Sequence, residues 1–207
     1  MQLKADALIL AGGKNGRMRG TYKGDLRLDS ETFADHLIHE MQQAAEQIYL
    51  SYGEVDHGEK DGCTIVRDLH PGCGPISGLE AGLTVCRNDY LLVAACDMPF
   101  LRADFYRMLL RQAEEKAAKS GELPDCIVPV RQGRADVLAA VYGKKVLPVM
   151  QKMIRDGSYR PLRAVEQVNT LYVSLDSMPV YAEMLRNVNT PEEYRELQDV
   201  LRTRSPG

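Results

Sequence analysis

Short apolar runs alternate with amphipathic stretches along most of the chain. Residues 5–11 (ADALILA) are almost wholly apolar and stop at Gly12-Gly13, the pattern of a buried strand in a parallel sheet. Residues 31–45 carry Phe33, Leu37, Met41 and Ala45 on one helical face. IYLSY at 48–52 and CTIVRD at 63–68 predict a second and a third strand. HPGCGPISG at 70–78 is a turn-rich connection. Pro75 fits the first turn of the helix after it, because its missing N–H loses no bond there. That helix places Ile76, Leu79, Leu83 and Cys86 on one face. YLLVAA at 90–95 is the most apolar run of all and predicts the central strand, ended by Asp97-Met98-Pro99.

The alternation continues. Residues 103–118 predict a helix with Phe105, Leu109, Ala113 and Ala117 facing inward and Gly121 as its stop. CIVPV at 126–130 and VLAAVY at 137–142 predict strands, about 144–155 a helix, and the stretch after Pro161 a short one. TLYVSL at 170–175 predicts the last strand. Thr190-Pro191-Glu192-Glu193 is a helix start, with Thr190 as N-cap, Pro191 at the first position and Glu193 closing a capping box. Tyr194, Leu197 and Leu201 form the apolar face of that helix. The pattern predicts an α/β fold: a mostly parallel sheet with helices on both faces. A length of 207 residues suits one domain over 1–207.

Composition narrows the function classes. Apolar residues make up 44% and charged ones 27%, which excludes a disordered chain. The formal net charge of -3 argues against a nucleic-acid partner, while a local basic site for an anionic small molecule needs no global excess. The five cysteines, Cys63, Cys73, Cys86, Cys96 and Cys126, form no C-x-x-C pair, which argues against a disulfide scaffold or a structural zinc site. The N-terminal apolar stretch is short, carries Asp6 and has no cleavage pattern behind it, so it reads as a strand and not as a signal peptide. No run reaches the roughly 18 apolar residues of a membrane helix. The expectation is a cytoplasmic protein with no membrane partner.

Open parallel sheets bind ligands beyond the carboxyl ends of their strands. Three polar motifs stand at or near such ends: LAGGKNGRMRGTYKG after the first strand, CDMPF after the central one, and NVNTP before the last helix. Gly12 and Gly13 let backbone approach a ligand, and Lys14, Arg17, Arg19 and Lys23 follow closely. Such a loop suits a polyphosphate, or it is simply a solvated basic loop. It matches neither G-x-x-x-x-G-K-[ST] nor G-x-G-x-x-G. Asp97 is either a turn former or a carboxylate for a hard cation, and Mg²⁺ takes one or two carboxylates plus substrate phosphates. Asp68 ends a strand, placed to meet a base or ribose or to open a turn. Asn187 and Asn189 alternate along an extended segment and can face one ligand. His36 and His39 read as a helix-surface pair without a further partner, and Cys96 as a small buried residue and not a nucleophile.

Taken together, the motifs resemble one family. Leu10-Ala11-Gly12-Gly13, Arg17-Met18 and Lys23 are similar to the opening signature of molybdenum cofactor guanylyltransferases. GPISGL at 74–79, CDMPF at 96–100 and NVNTPEE at 187–193 match the family's later blocks in order. The resemblance implies the Rossmann-like nucleotide-diphospho-sugar transferase fold, a three-layer α/β/α sandwich. It implies transfer of GMP from GTP to molybdopterin carrying molybdenum, with release of pyrophosphate. Leu10, Ala11, Gly12 and Gly13 would hold the nucleotide. Arg17 and Lys23 would neutralise the triphosphate, Asp97 would hold Mg²⁺, and Asp68 would contact the nucleotide. Asn187 and Asn189 would lie by the metal or the cofactor substrate, and an apoenzyme would accept the product. Four positions depart from the family pattern: Arg19 after the R-M pair, Tyr22 before the lysine, Ser51 where an Asn is common, and the run Ala135-Asp136-Val137-Leu138, which lacks a Pro. They leave open a relative using CTP or another acceptor, or a non-catalytic nucleotide- or cofactor-binding chaperone.

Overall fold

A computed structural model describes residues 3–12, 23–53, 55 and 57–204. Among these, ten strands alternate with seven helices. The strands are β1 (Ala5–Leu10), β2 (Arg27–Leu28), β3 (Glu31–Thr32), β4 (Ile48–Ser51), β5 (Thr64–Val66), β6 (Tyr90–Ala95), β7 (Cys126–Arg131), β8 (Arg134–Ala135), β9 (Val141–Gly143) and β10 (Thr170–Ser174). The helices are α1 (Phe33–Gln42), α2 (Pro75–Val85), α3 (Ala103–Ser120), α4 (Leu147–Arg155), α5 (Pro161–Val165), α6 (Pro179–Met184) and α7 (Pro191–Arg204).

The large sheet has the order β10-β7-β9-β6-β1-β4-β5, with β8 against β7. Pairing is parallel among β6, β1, β4 and β5 and between β7 and β10. Strand β9 runs antiparallel between β6 and β7. Successive side chains of β1 enter opposite cores, as a strand covered on both faces requires. Ala7 and Ile9 join Leu37, Met41, Phe105 and Leu109 of α1 and α3. Leu8 and Leu10 join Leu79 and Leu83 of α2 and Met150 of α4. The result is the expected α/β/α sandwich. A third, smaller cluster of Leu26, Phe33, Val188 and Leu197 seats α7 and the segment before it. The register pairs Leu10 with both Ser51 and Ala95, so β1, β4 and β6 end level.

Some elements depart from the sequence pattern. The strand expected over 137–142 is regular only at 141–143. Asp136 O accepts from Ala139 N and closes a turn there. Leu138 and Ala140 still offer their carbonyls to Ala95 N and Val93 N, which keeps this stretch beside β6. The helix expected over 31–45 is shorter, because residues 31–32 pair with 27–28 as a hairpin. Asp29 takes the left-handed conformation in that turn (φ 61°), which a short polar residue tolerates. Thr32 then caps α1 by accepting from Asp35 N. Helix α6, headed by Pro179, was hidden in a stretch without a clear apolar face. The glycine expected to stop α3, Gly121, does so in the left-handed region. The predicted basic loop falls mainly on residues 13–22, so Gly13 and Arg17, with Lys14 and Arg19, lie outside the described residues.

Candidate active site

The turn after β1 is pinned from both sides. Ala11 N donates to Ser51 O at 2.8 Å, and Leu10 O accepts from Cys96 N at 3.0 Å. Gly12 then passes directly over the loop after β4. A Cβ at Gly12 would stand 2.7 Å from both Gly53 N and Tyr52 O, which are backbone atoms. The two loops can touch only because no side chain is present. Leu10 and Ala11 are buried whereas Gly12 is exposed, so the peptide face available to a ligand lies at Gly12.

On the β4–β5 side of this turn, Ser51 Oγ donates to Asp68 Oδ1 at 2.7 Å and accepts from Gly53 N at 3.3 Å. Helix α2 comes down on this pair at Gly78. A Cβ there would meet Leu10 Cδ2 at 2.7 Å, Ser51 Oγ at 3.1 Å and Asp68 Oδ1 at 3.4 Å. Ser77 Oγ accepts from His70 N at 2.8 Å, which fixes the loop between Asp68 and α2. Asp68, Ser51, Gly53 and Gly12 thus form a continuous wall. The role of Ser51 as the donor holding Asp68 was not visible in the sequence, where it registered only as a departure.

On the β6 side stands Asp97. Its backbone carbonyl accepts from Val188 N at 2.7 Å, which ties the NVN segment to the end of the central strand. Lys23 Nζ donates to Asn189 Oδ1 at 2.7 Å and stands 3.4 Å from Asp97 Oδ2. Lys23 opens a 3-10 turn (Lys23–Asp25), and Leu26 directly after it is buried in one cluster with Val188. The lysine is therefore held by packing as well as by its partners. Asn189 is held by Glu193, whose Oε2 accepts from Asn189 N at 2.6 Å and Thr190 N at 3.1 Å. Glu193 N in turn donates to Thr190 Oγ1 at 3.2 Å, so the expected capping box is closed.

Asp97 Oδ1 and Asn187 Oδ1 are buried and have no hydrogen-bond partner among the described residues. A buried acceptor left without a donor is costly unless a ligand completes it. Among the described residues no three His, Cys, Asp or Glu side chains gather into a metal cage. One carboxylate with an oxygen to spare is the donor set that Mg²⁺ accepts, since it keeps several waters and binds substrate phosphates. The residues present therefore fit that ion.

Lys23, Asp97 and Asn189 come together, Asn187 is next to the residue bonded to Asp97, and Asp68 stands on the far side of the β1 turn. Cys96 is fully buried, and burial, with Asp97 adding to it, pushes its thiol up to about 12. Such burial disfavours the thiolate that a nucleophilic cysteine needs. His36 and His39 do have a partner. Their Nδ1 atoms lie 2.9 and 3.0 Å from the two carboxylate oxygens of Glu31, on the β2–β3 hairpin.

The family model of the MobA-like NTP transferase domain matches residues 7–171. The chain belongs to this family. A relative from Carboxydothermus hydrogenoformans, named probable molybdenum cofactor guanylyltransferase, is 30% identical over 192 residues, 91% of this chain and 92% of the relative. A protein of the same name from Clostridium perfringens is 29% identical over 202 residues, 94% and 96% of the two chains. Molybdopterin-guanine dinucleotide biosynthesis protein A from Archaeoglobus fulgidus has a similar structure, with a TM-score of 0.77 at 21% identity over 96% of this chain and 99% of that one. 2-C-methyl-D-erythritol 4-phosphate cytidylyltransferase from Thermus thermophilus gives 0.67 at 14% identity over 97% and 100%. These likenesses establish the nucleotide-diphospho-sugar transferase fold, and membership of the family makes the chain a nucleotidyltransferase.

Proposed function

We propose that this protein transfers GMP from GTP to molybdopterin carrying molybdenum, and that it does so with Mg²⁺. The observation that carries the reading is the buried Asp97 Oδ1, without a partner among the described residues, beside the Lys23–Asn189 pair at the end of the central strand of a nucleotidyltransferase fold. The curated relatives named for this transfer support the choice of substrates.

The nucleotide lies over Gly12 and the wall formed by Gly53, Ser51 and Asp68, where the exposed peptide face permits close approach. A phosphate oxygen of the acceptor attacks the α-phosphorus of GTP. The bond from that phosphorus to the bridging oxygen breaks, pyrophosphate leaves, and a new phosphoanhydride joins GMP to the acceptor. Lys23, already oriented by Asn189, neutralises charge on the phosphates, with Arg17 in the same role. Asp97, with Asn187 near it, would hold Mg²⁺, which when bound would supply further neutralisation of the phosphate oxygens. Rate acceleration comes from positioning and preorganised charge, and no covalent enzyme intermediate is formed. The product passes to an apoenzyme in the cytoplasm. Among the described residues no helix is long and apolar enough to cross a membrane.

Calorimetric titration with GTP and with CTP, each with and without Mg²⁺, tests the nucleotide. A transfer assay with molybdopterin then tests the acceptor. Mg²⁺-dependent binding of GTP in preference to CTP, followed by pyrophosphate release on adding the acceptor, is the expected result. A preference for CTP moves the protein to a cytidylyl branch with the same fold. Binding of neither nucleotide, even with acceptor present, overturns the reading in favour of a chaperone.

A further inference from the structure

The end of β7 carries an arginine whose side chain spans three parts of the fold. Arg131 Nε donates to Asp136 Oδ2 at 3.0 Å, and Nη2 donates to Asp136 Oδ1 at 3.3 Å. Its Nη1 donates to Ala182 O at 3.3 Å, and Nη2 also donates to Leu185 O at 3.1 Å. One planar guanidinium thus links β7, the turn at Asp136 and the C-terminal end of α6, a geometry that lysine cannot reproduce. Asp136 is nearly covered, with its side chain 10% exposed. It belongs to the run Ala135-Asp136-Val137-Leu138, which departs from the family pattern.

The chain that Arg131 holds leads straight into the site. Leu185 is fully buried, Val188 three residues later is tied to Asp97 O, and Asn189 meets Lys23. Asn187, with its unpartnered buried oxygen, lies between these anchors. The turn at Asp136 leads into Leu138, whose carbonyl accepts from Ala95 N at the end of β6. Both segments that Arg131 joins therefore border the Asp97 end of the central strand.

Sheet order assigns this side to one reactant. Gly12, Ser51, Gly53 and Asp68 lie over β1, β4 and β5, whereas Arg131 and Asp136 lie over β7, with β6 and Asp97 between them. Two reactants that meet at Asp97 approach from its two sides. We propose that Arg131 and Asp136 are a positioning pair that sets the acceptor side of the site by fixing residues 185–189 against Asp97 and Lys23. This inference rests on the transfer reading above for the identity of the reactants, and on the hydrogen bonds alone for the positioning.

The test compares Arg131→Met, Arg131→Lys and the milder Asp136→Asn with wild type. Steady-state transfer gives KM for GTP and for the molybdopterin acceptor separately, and amide hydrogen exchange reports on residues 185–190 and 5–12. The expected result for Arg131→Met is an acceptor KM raised about tenfold or more, a GTP KM within twofold, and exchange at 185–190 at least tenfold faster with 5–12 unchanged. Arg131→Lys and Asp136→Asn fall between this variant and wild type. Equal exchange at 185–190 in all proteins overturns the inference, whether or not the wild type transfers GMP. A uniform rise in exchange, with both KM values moving together, also overturns it, since that marks a merely structural role. Wild type inactive with GTP refutes the functional reading instead, and the exchange data still decide the positioning.

Discussion

Gly12→Ala tests whether the two loops that build the wall proposed for the nucleotide must touch. The added Cβ would stand 2.7 Å from Gly53 N and Tyr52 O, against the 3.0–3.4 Å of even tight Cβ contacts. The loops would have to part by about 0.3–0.7 Å, the difference between these distances. Both are backbone, so no rotamer relieves the clash. The 2.8 Å bond from Ala11 N to Ser51 O resists the separation, because it joins the same two loops one residue earlier. Overpacking of this kind costs about 1–3 kcal/mol. Loss of glycine's freedom in the unfolded chain offsets about 0.4–1 kcal/mol of that. The net loss of about 0–2.6 kcal/mol corresponds to a fall in Tm of up to roughly 10 °C for a chain of this size. The displaced peptide should also lower GTP affinity about tenfold, the equivalent of roughly 1.4 kcal/mol. Gly121→Ala is the control. It lies at the end of α3 with φ 77° and nothing within 4 Å of its Cβ, so it should lose about 1 kcal/mol with GTP affinity unchanged. Thermal melts and calorimetric titration read both variants. A Gly12→Ala protein with wild-type GTP affinity would refute the assignment of this turn to the nucleotide.

Three further predictions follow from individual contacts. Lys23→Ala and Asp97→Ala should each lower kcat by about a hundredfold or more, as loss of a preorganised charge does, and unchanged turnover in both would remove the mechanism. Ser51→Asn should weaken GTP binding and lower Tm, because Gly78 and Asp68 close the space around Ser51 Oγ and the larger amide must displace Asp68; titration showing tighter GTP binding would contradict this. Buried Asp6 accepts from Arg87 N, Asn88 N and Asn88 Nδ2. Burial alone would raise its pKa, but these bonds outweigh it and hold the carboxyl below its ordinary value. Its stabilisation is therefore present above the unfolded pKa of about 3.9 and lost as pH falls through the folded one. Asp6→Ala should cost about 2–4 kcal/mol at pH 7 by leaving buried donors unpaired, and less at pH 3, below the unfolded pKa of about 3.9. Urea titrations giving equal losses at both pH values would refute it.

Much of the fold was legible because its signals are local. Short apolar runs bounded by glycine, proline or aspartate pointed to β1, β4, β6 and β7, and the Thr190–Glu193 spacing pointed to the start of α7 to the residue. The hairpin of β2 and β3 was not legible, because two-residue strands carry no periodicity and their turn uses Asp29 and not glycine. The stretch at 137–140 has the composition of a strand, yet Asp136 closes a turn there and is itself held by Arg131. That pairing is a tertiary fact with no trace in local pattern.

The site divides along the same line. Taken alone, Asp97 reads as a turn residue before it reads as a cation ligand, and Asn189 as an ordinary residue before a helix. What distinguishes them is Lys23, which lies 74 positions before one and 166 before the other and yet stands within hydrogen-bond reach of both. Such convergence is set by the crossover order of the sheet, which places the ends of β1 and β6 side by side. Residue types at strand ends therefore give the chemistry available, while the sheet order decides which of them act together. The same order explains why Asp68 and Asn187 need not meet: they stand on opposite sides of Asp97, one held by Ser51 at the end of β4 and the other next to Val188, which bonds Asp97 O.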